Sequence, residues 1–187
     1  NCQIGIGGQN CHESKSYGPS TGSVNPSMLK NIGAQFVIIG HSENREKGES
    51  DKLINLKIKS AIEAKLKVIF CIGETLKEKR KKMKKKILSN QIKISLHGVN
   101  NKSNIFIAYE PVWAIGTGII PKSKELIETV NFIKSKFKYK APKVLYGGSV
   151  NPKNIKKLKE INNIDGFLIG GASQNANKFI DIVKKTY

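Results

Sequence analysis

IFIAYEPVWAIGTGII, residues 105–120, begins with an uncharged and mostly apolar run, Ile105 to Tyr109, and then sets a carboxylate, Glu110, directly before Pro111. The run predicts a buried strand with the acid at its tip. A mostly apolar loop, VWAI, follows and ends in Gly116-Thr117-Gly118. An apolar run without alternation belongs to a strand covered on both faces, as in a parallel sheet. The same order recurs along the chain. Strands are expected at 3–8, 36–40, 67–72, 105–109, 143–147 and 165–170, with helical segments at 26–32, 50–65, 75–96, 122–137, 151–161 and 175–186. In the 50–65 segment Leu53, Leu56, Ile58, Ala61 and Ile62 fall close to the helical repeat, and Pro26 suits a first helical turn.

Strand followed by helix, six times over, predicts an α/β fold with a parallel sheet and helices outside it. The doubly wound open sheet and the (β/α)8 barrel both satisfy that order. The polar residues separate them: His41, Glu74, Glu110, Ser149 and Ser173 each follow a strand. Chemistry fed from several successive strand ends favours the mouth of a barrel over a single crevice. No linker, low-complexity tract or composition shift divides the sequence, so one domain over 1–187 is expected.

Composition narrows the functional classes. A chain of 187 residues with 39% hydrophobic content can bury a core, and no apolar run approaches the ~18 residues of a membrane helix. The start, NCQIGIGGQN, lacks the regions of a signal peptide. Cys2, Cys11 and Cys71 form an odd set without CxxC spacing, which favours reduced thiols inside a cell. No metal site is expected. Lys and Arg number 33 against 14 acids, a net charge of +19. Lysine supplies most of it beside abundant Asn and Ile, as a coding bias toward A and T would. The densest run, KEKRKKMKKK at 77–86, is expected to be a solvated helical face, with contact to a polyanion as the alternative.

Three stretches carry chemistry. In GHSENRE (40–46), His41 stands at a strand end beside a short helix, whose N-terminus disfavours the charged ring. A neutral imidazole there can donate a hydrogen bond to a carbonyl oxygen. Glu110, desolvated beneath an apolar flap, becomes a stronger base, and Gly116 and Gly118 let the flap's backbone approach an anion. YGGS (146–149) and IGGAS (169–173) place glycine pairs after the last two strands, where a cradle of amides for phosphate belongs. His12 and His97 have no such company and are taken as surface or packing residues.

GHSENRE, CIGET, AYEPVWAIGTG, YGGSVNP and DGFLIGGAS, in this order, closely resemble the triosephosphate isomerase family, from about Gln9 to the C-terminus. The resemblance implies a cofactor-free aldose–ketose isomerase of glycolysis and gluconeogenesis on a TIM (β/α)8 barrel. Glu110 would take a proton from the carbon beside the substrate carbonyl, and neutral His41 would move protons between the enediolate oxygens. Glu43 is implied as a supporting acid. Pro111, Val112, Trp113, Ala114, Ile115, Gly116, Thr117 and Gly118 would form the lid. Backbone groups of Gly116, Ser149, Gly170 and Gly171 would hold the phosphate, while Cys71 and Glu74 match a structural stretch. The family is homodimeric. Segment 14–26 matches the loop that inserts beside the partner's site, with Thr21, Gly22 and Arg45 as implied interface residues. Nucleic acid of specific sequence and membranes are not expected as partners, and the compartment is expected to be the cytoplasm or an organelle such as a plastid.

Departures from the family pattern define the remaining expectations. Two βα units, with an Asn and a substrate-facing Lys, have no match here, so about six units and a partial sequence are expected. Losing such a cation typically costs ~10²–10³ in rate, which keeps a catalytically impaired relative with a binding or structural role as the alternative. Ser23 stands where an acid is usual, and Asn44 where the first of two arginines is usual. Ile119, Ile120 and Pro121 replace a more polar hinge, and the segment near 45–48 is one residue shorter than the family pattern.

Overall fold

A computed structural model describes residues 4–186; Cys2 and the first residue of the strand expected at 3–8 lie outside them. The strands are β1 (Gly7–Gly8), β2 (Phe36–Ile39), β3 (Lys67–Ile72), β4 (Ile105–Tyr109), β5 (Val144–Tyr146) and β6 (Gly166–Phe167). The helices are α1 (Pro26–Asn31), α2 (Ser42–Glu46), α3 (Asp51–Glu63), α4 (Leu76–Arg80), α5 (Lys84–Ser95), α6 (Ser123–Lys134), α7 (Ile155–Lys159) and α8 (Ala176–Thr186). Strand order follows chain order. The chain divides into two compact units, one running to Cys71 and including Asn90–Phe106, the other holding Ile72–Ser89 and everything from Ile107 onward.

In the first unit β1, β2 and β3 pair in parallel, with Gly7 opposite Phe36 and Phe36 opposite Lys67. Residues 5–7 lie hard against Phe36, and a Cβ on Gly5 or Gly7 would stand 2.7 or 2.9 Å from that side chain. Among the described residues of the strand expected at 3–8, Gly7 and Gly8 form the strand. Asn25 caps α1 by accepting the Met28 N–H at 2.8 Å, and Ser50 caps α3 by accepting the Leu53 N–H at 3.2 Å. The buried face of α3 runs through Ile54, Ile58 and Ala61, whereas Leu56 is 52% exposed. The expected stripe is therefore displaced. α3 ends at Lys65 with φ 61°, where Lys65 and Leu66 N–H groups close on the Ile62 and Ala61 carbonyls.

A buried polar knot also belongs to this unit. Lys57 Nζ pairs with Glu49 and donates to Asn10 Oδ1 at 3.2 Å, while Asn10 Nδ2 donates to Glu49 Oε1 at 3.0 Å. The knot ties the chain at residue 10 to α3. Next to it, burial pushes the Cys11 thiol up to about 12, against the pull of Lys57.

In the second unit β4, β5 and β6 pair in parallel, Ile107 opposite Val144 and Leu145 opposite Gly166. Leu126, Val130 and Ile133 of α6, Ile155 and Leu158 of α7 and Ile182 of α8 supply its helical core. The single helix expected over 75–96 is two. Lys82 takes φ 57°, and Met83 and Lys82 N–H groups close on the Glu78 and Lys79 carbonyls, which ends α4. Among the described residues no helix is long and apolar enough to cross a membrane.

Candidate active site

The second unit holds the acid and the loop that follows it. Glu110 follows β4, is 2% exposed, and donates its N–H to the Ile72 carbonyl at 2.8 Å. Two glycines make room for it. A Cβ on Gly73 would overlap the Glu110 carbonyl oxygen, and one on Gly147 would stand 2.8 Å from Glu110 Cγ and 3.5 Å from Oε1. Gly147 N–H in turn donates to the Tyr109 carbonyl at 2.9 Å. The carboxylate thus lies over a bare patch of backbone at the end of β5. Neither glycine was singled out for this purpose in the sequence, although both lie in the CIGET and YGGS stretches.

The loop that follows Glu110 is held at both ends. Val112–Ala114 form one 3-10 turn. At its start, Val112 N–H donates to the Glu74 carbonyl at 3.1 Å and Trp113 Nε1–H to Glu74 Oε1 at 2.9 Å. Tyr109 Oη lies 3.2 and 3.1 Å from the two Glu74 oxygens, and Lys79 Nζ lies 3.3 Å from the centre of the Trp113 ring. Burial raises the Glu74 carboxyl above its usual 4.5, against hydrogen bonds from Trp113 and Tyr109 and the charge of Lys84. Burial and the Glu74 charge likewise raise the Tyr109 phenol. Glu74 is the anchor of the loop, a larger part than a structural stretch suggests.

At the loop's far end the Ser149 hydroxyl donates to the Ala114 carbonyl at 2.6 Å and accepts the Gly118 N–H at 3.1 Å. Gly116 and Gly118 sit at φ 69° and 74°, conformations that favour glycine. Ser149 side chain and loop are therefore joined. Gly170 and Gly171 are exposed after β6, and a Cβ on either would meet nothing within 4 Å. Ser173 turns its N–H and its hydroxyl onto the Gly170 carbonyl, both at 2.8 Å, opening a 3-10 turn over Gly171–Gln174. The two glycine pairs differ in kind, since Gly147 and Gly148 are pressed by Glu110 and Tyr146 while the second pair faces open space.

The first unit holds His41, which caps α2. Its Nδ1 accepts the Glu43 N–H at 3.4 Å, so in the neutral ring the proton sits on Nε2. Glu43 is exposed and contributes through its backbone here. Arg45 fixes the end of β2: Nε donates to the Gly40 carbonyl at 2.8 Å, Nη2 to the Cys71 carbonyl at 3.1 Å, and Nη1 pairs with Asp51 at 2.6 Å. That guanidinium is committed within its own chain. Thr21 and Gly22 are exposed in a turn, with Gly22 at φ 83°, and His12 N–H to the Val24 carbonyl, 2.9 Å, closes the loop that carries them. Among the described residues no three His, Cys, Asp or Glu side chains gather as a metal would require.

The family model described as "Triosephosphate isomerase" matches residues 1–186. The chain belongs to the triosephosphate isomerase family. It is 44% identical over 192 residues to triosephosphate isomerase of Thermodesulfovibrio yellowstonii, covering 98% of this chain and 77% of that protein. Against the triosephosphate isomerase of Carboxydothermus hydrogenoformans the identity is 46% over 191 residues, 97% of this chain and 76% of the other. The crystal structure of triosephosphate isomerase from Bartonella henselae superposes with a TM-score of 0.88 at 40% identity, over 97% of this chain and 77% of that one. The fold class is thus α/β of the TIM (β/α)8 type, with six of its parallel strands in this chain, which is shorter than the relatives it matches.

Proposed function

We propose that this protein interconverts dihydroxyacetone phosphate and D-glyceraldehyde 3-phosphate by proton transfer through an enediolate, the isomerase step shared by glycolysis and gluconeogenesis. One observation carries the chemistry: a carboxylate 2% exposed at a strand end, seated on glycine backbone and followed directly by a loop clamped by Glu74 and Ser149. A desolvated carboxylate loses the hydration that weakens it as a base. Glu110 removes the proton from the carbon next to the carbonyl. His41, held as the Nε2–H tautomer by the Glu43 N–H, donates to the carbonyl oxygen and relays protons between the two oxygens; Glu43 supports it.

The lid of Pro111 to Gly118 excludes water, so the enediolate returns a proton rather than losing phosphate. Amides of Gly116, Ser149, Gly170 and Gly171 hold the phosphate, and backbone N–H groups suit an anion without adding a titrating group. No cofactor takes part. One domain spans residues 1–187, and two copies associate through the 14–26 loop, with Thr21, Gly22 and Arg45 at or near the contact. The relatives are bacterial proteins, which favours the cytoplasm and lends nothing to a plastid.

The test compares isomerase turnover of the protein as its cell makes it with Glu110→Gln and His41→Asn variants. Each variant should lose at least ~10²-fold in kcat, the lower range for a positioned acid–base group. Wild type and Glu110→Gln equally inert would remove the catalytic reading.

A further inference from the structure

The lysine-rich stretch at 77–86 is not used by the isomerase chemistry, and its surroundings in the second unit set it apart from a merely solvated helix. Two contacts bind it to α6. Glu125 receives Lys84 Nζ at 2.9 Å and Lys79 Nζ at 3.2 Å. A turn or two further along α6, the ring of Phe132 is flanked by Lys85 Nζ at 5.6 Å and Lys136 Nζ at 4.2 Å from its centre. These contacts bring the α4–α5 bend next to the segment following α6, where Lys138 and Lys140 flank Tyr139. Tyr139 is fully exposed, at 101%.

The two acids nearest these cations are already occupied. Glu78 accepts the Thr75 N–H and hydroxyl in a capping box, and the Lys84 and Lys79 hydrogen bonds and charges hold Glu125 below the usual carboxylate range although burial opposes them. Glu128 is the exposed acid left on α6. Arg80, Lys81, Lys82 and Lys86 stay exposed on the α4–α5 bend. A membrane surface would call for several apolar side chains beside the cations, but Leu88 is buried, Ile87 and Met83 are partly covered, and of the apolar residues of α4 and its bend Leu76 alone is exposed, at 44%. What protrudes is a flat ring among lysines, which suits a base stacked above a tracked phosphate backbone.

We propose that this face binds single-stranded nucleic acid without sequence preference: the cations of the α4–α5 bend and of 136–140 follow the phosphates, and Tyr139 stacks a base. Lys79, which stacks on Trp113, and Lys84, whose charge reaches Glu74, are left unchanged in every variant below, so unchanged turnover serves as the check that variants fold.

The experiment is fluorescence anisotropy of a labelled uridine 20-mer across a salt series. The matched pair is Lys81→Glu/Lys82→Glu/Lys86→Glu against Lys156→Glu/Lys157→Glu/Lys159→Glu on α7, which changes net charge equally elsewhere. The first triple should lower the slope of log K against log salt by about two, from ~0.7 per single-strand phosphate contact, and the α7 triple should leave most of it. Tyr139→Ala should weaken the 20-mer about tenfold, within the range for one stacked base, yet leave binding of inorganic polyphosphate unchanged. Equal losses from the two triples would reduce the effect to net charge and overturn the proposal. So would an indifferent Tyr139→Ala, or binding to phosphatidylserine vesicles in place of the 20-mer.

Discussion

A methyl group at position 147 would stand 2.8 Å from Cγ of Glu110, closer than side-chain carbons tolerate, so one of the two must move. The neighbour is a side chain, and Glu110 can swing away while the fold stays intact. Gly147→Ala should therefore leave the thermal unfolding of the enzyme within a few degrees of wild type and cut kcat by about 10²-fold, the cost of displacing a reacting group by about 1 Å. Steady-state kinetics with unchanged kcat would show that Glu110 needs no clearance there. Gly73 is the contrasting case, since its Cβ would meet the Glu110 backbone itself. These two glycines explain what sequence could and could not disclose about the site. Glu110 and His41 stand out in the sequence as candidates because each ends an apolar strand with a group able to move protons. Gly147 reads as part of a phosphate cradle and Gly73 as part of a structural stretch, because their contact with Glu110 involves a residue distant in sequence.

At the scale of the element, the loop proposed as a lid is a strap with a buried carboxylate, Glu74, at its root. Glu74 is fully buried and accepts from Trp113, with the Tyr109 phenol beside it. Burial raises its proton affinity above that of the unfolded chain. Between the usual 4.5 and the raised value, the folded protein then binds more protons than the unfolded one, so stability falls as pH rises through that window. The contribution is fully present below the usual value and lost above the raised one. Glu74→Gln cannot ionise and should lack this slope. The difference in urea-unfolding free energy between variant and wild type should move in the variant's favour as pH climbs from 4.5, then level off. A difference that stays flat from pH 4.5 to 8 would mean that Glu74 enters the fold with an ordinary carboxyl. Glu125 titrates with the opposite sign but is present in both proteins, so it drops out of the comparison.

Other elements show why boundaries were less legible than existence. β4 reads at its observed bounds because Asn104 and Glu110 border a continuous apolar run, and β3 because Lys67 opens such a run and Gly73 ends it. The break between α4 and α5 was hidden because Lys82, not a glycine, takes the left-handed turn, and one more lysine in a lysine run signals nothing. The stripe on α3 was misplaced for a related reason: Asn55 and Lys57 are buried through hydrogen bonds to the Ser95 and His97 carbonyls and to Glu49, so polar side chains sit where a hydropathy pattern expects solvent.

At the scale of the molecule, the net charge of +19 bears on assembly. The loop at 14–26 is rooted firmly, by the Asn10–Lys57–Glu49 knot on one side and the His12–Val24 backbone bond on the other, and it presents Tyr17 at 70% exposure. A pre-formed loop lowers the ordering cost of association. Ser23 and Asn44 replace charged residues in the family pattern, so no acid–arginine pair at those positions would be weakened by salt. The long-range term between two like-charged copies is repulsive, and added salt shortens its reach from ~14 Å near 0.05 M to ~6 Å near 0.3 M, scaling from ~10 Å at 0.1 M. Dimerisation should therefore tighten with salt, opposite to an interface held by ion pairs. Equilibrium sedimentation at micromolar protein should find dimer, with a dissociation constant that falls several-fold between those two salts. A species that stays monomeric at every salt concentration would exclude the dimer, and a dimer that loosens with salt would place attractive charge pairs at the interface after all.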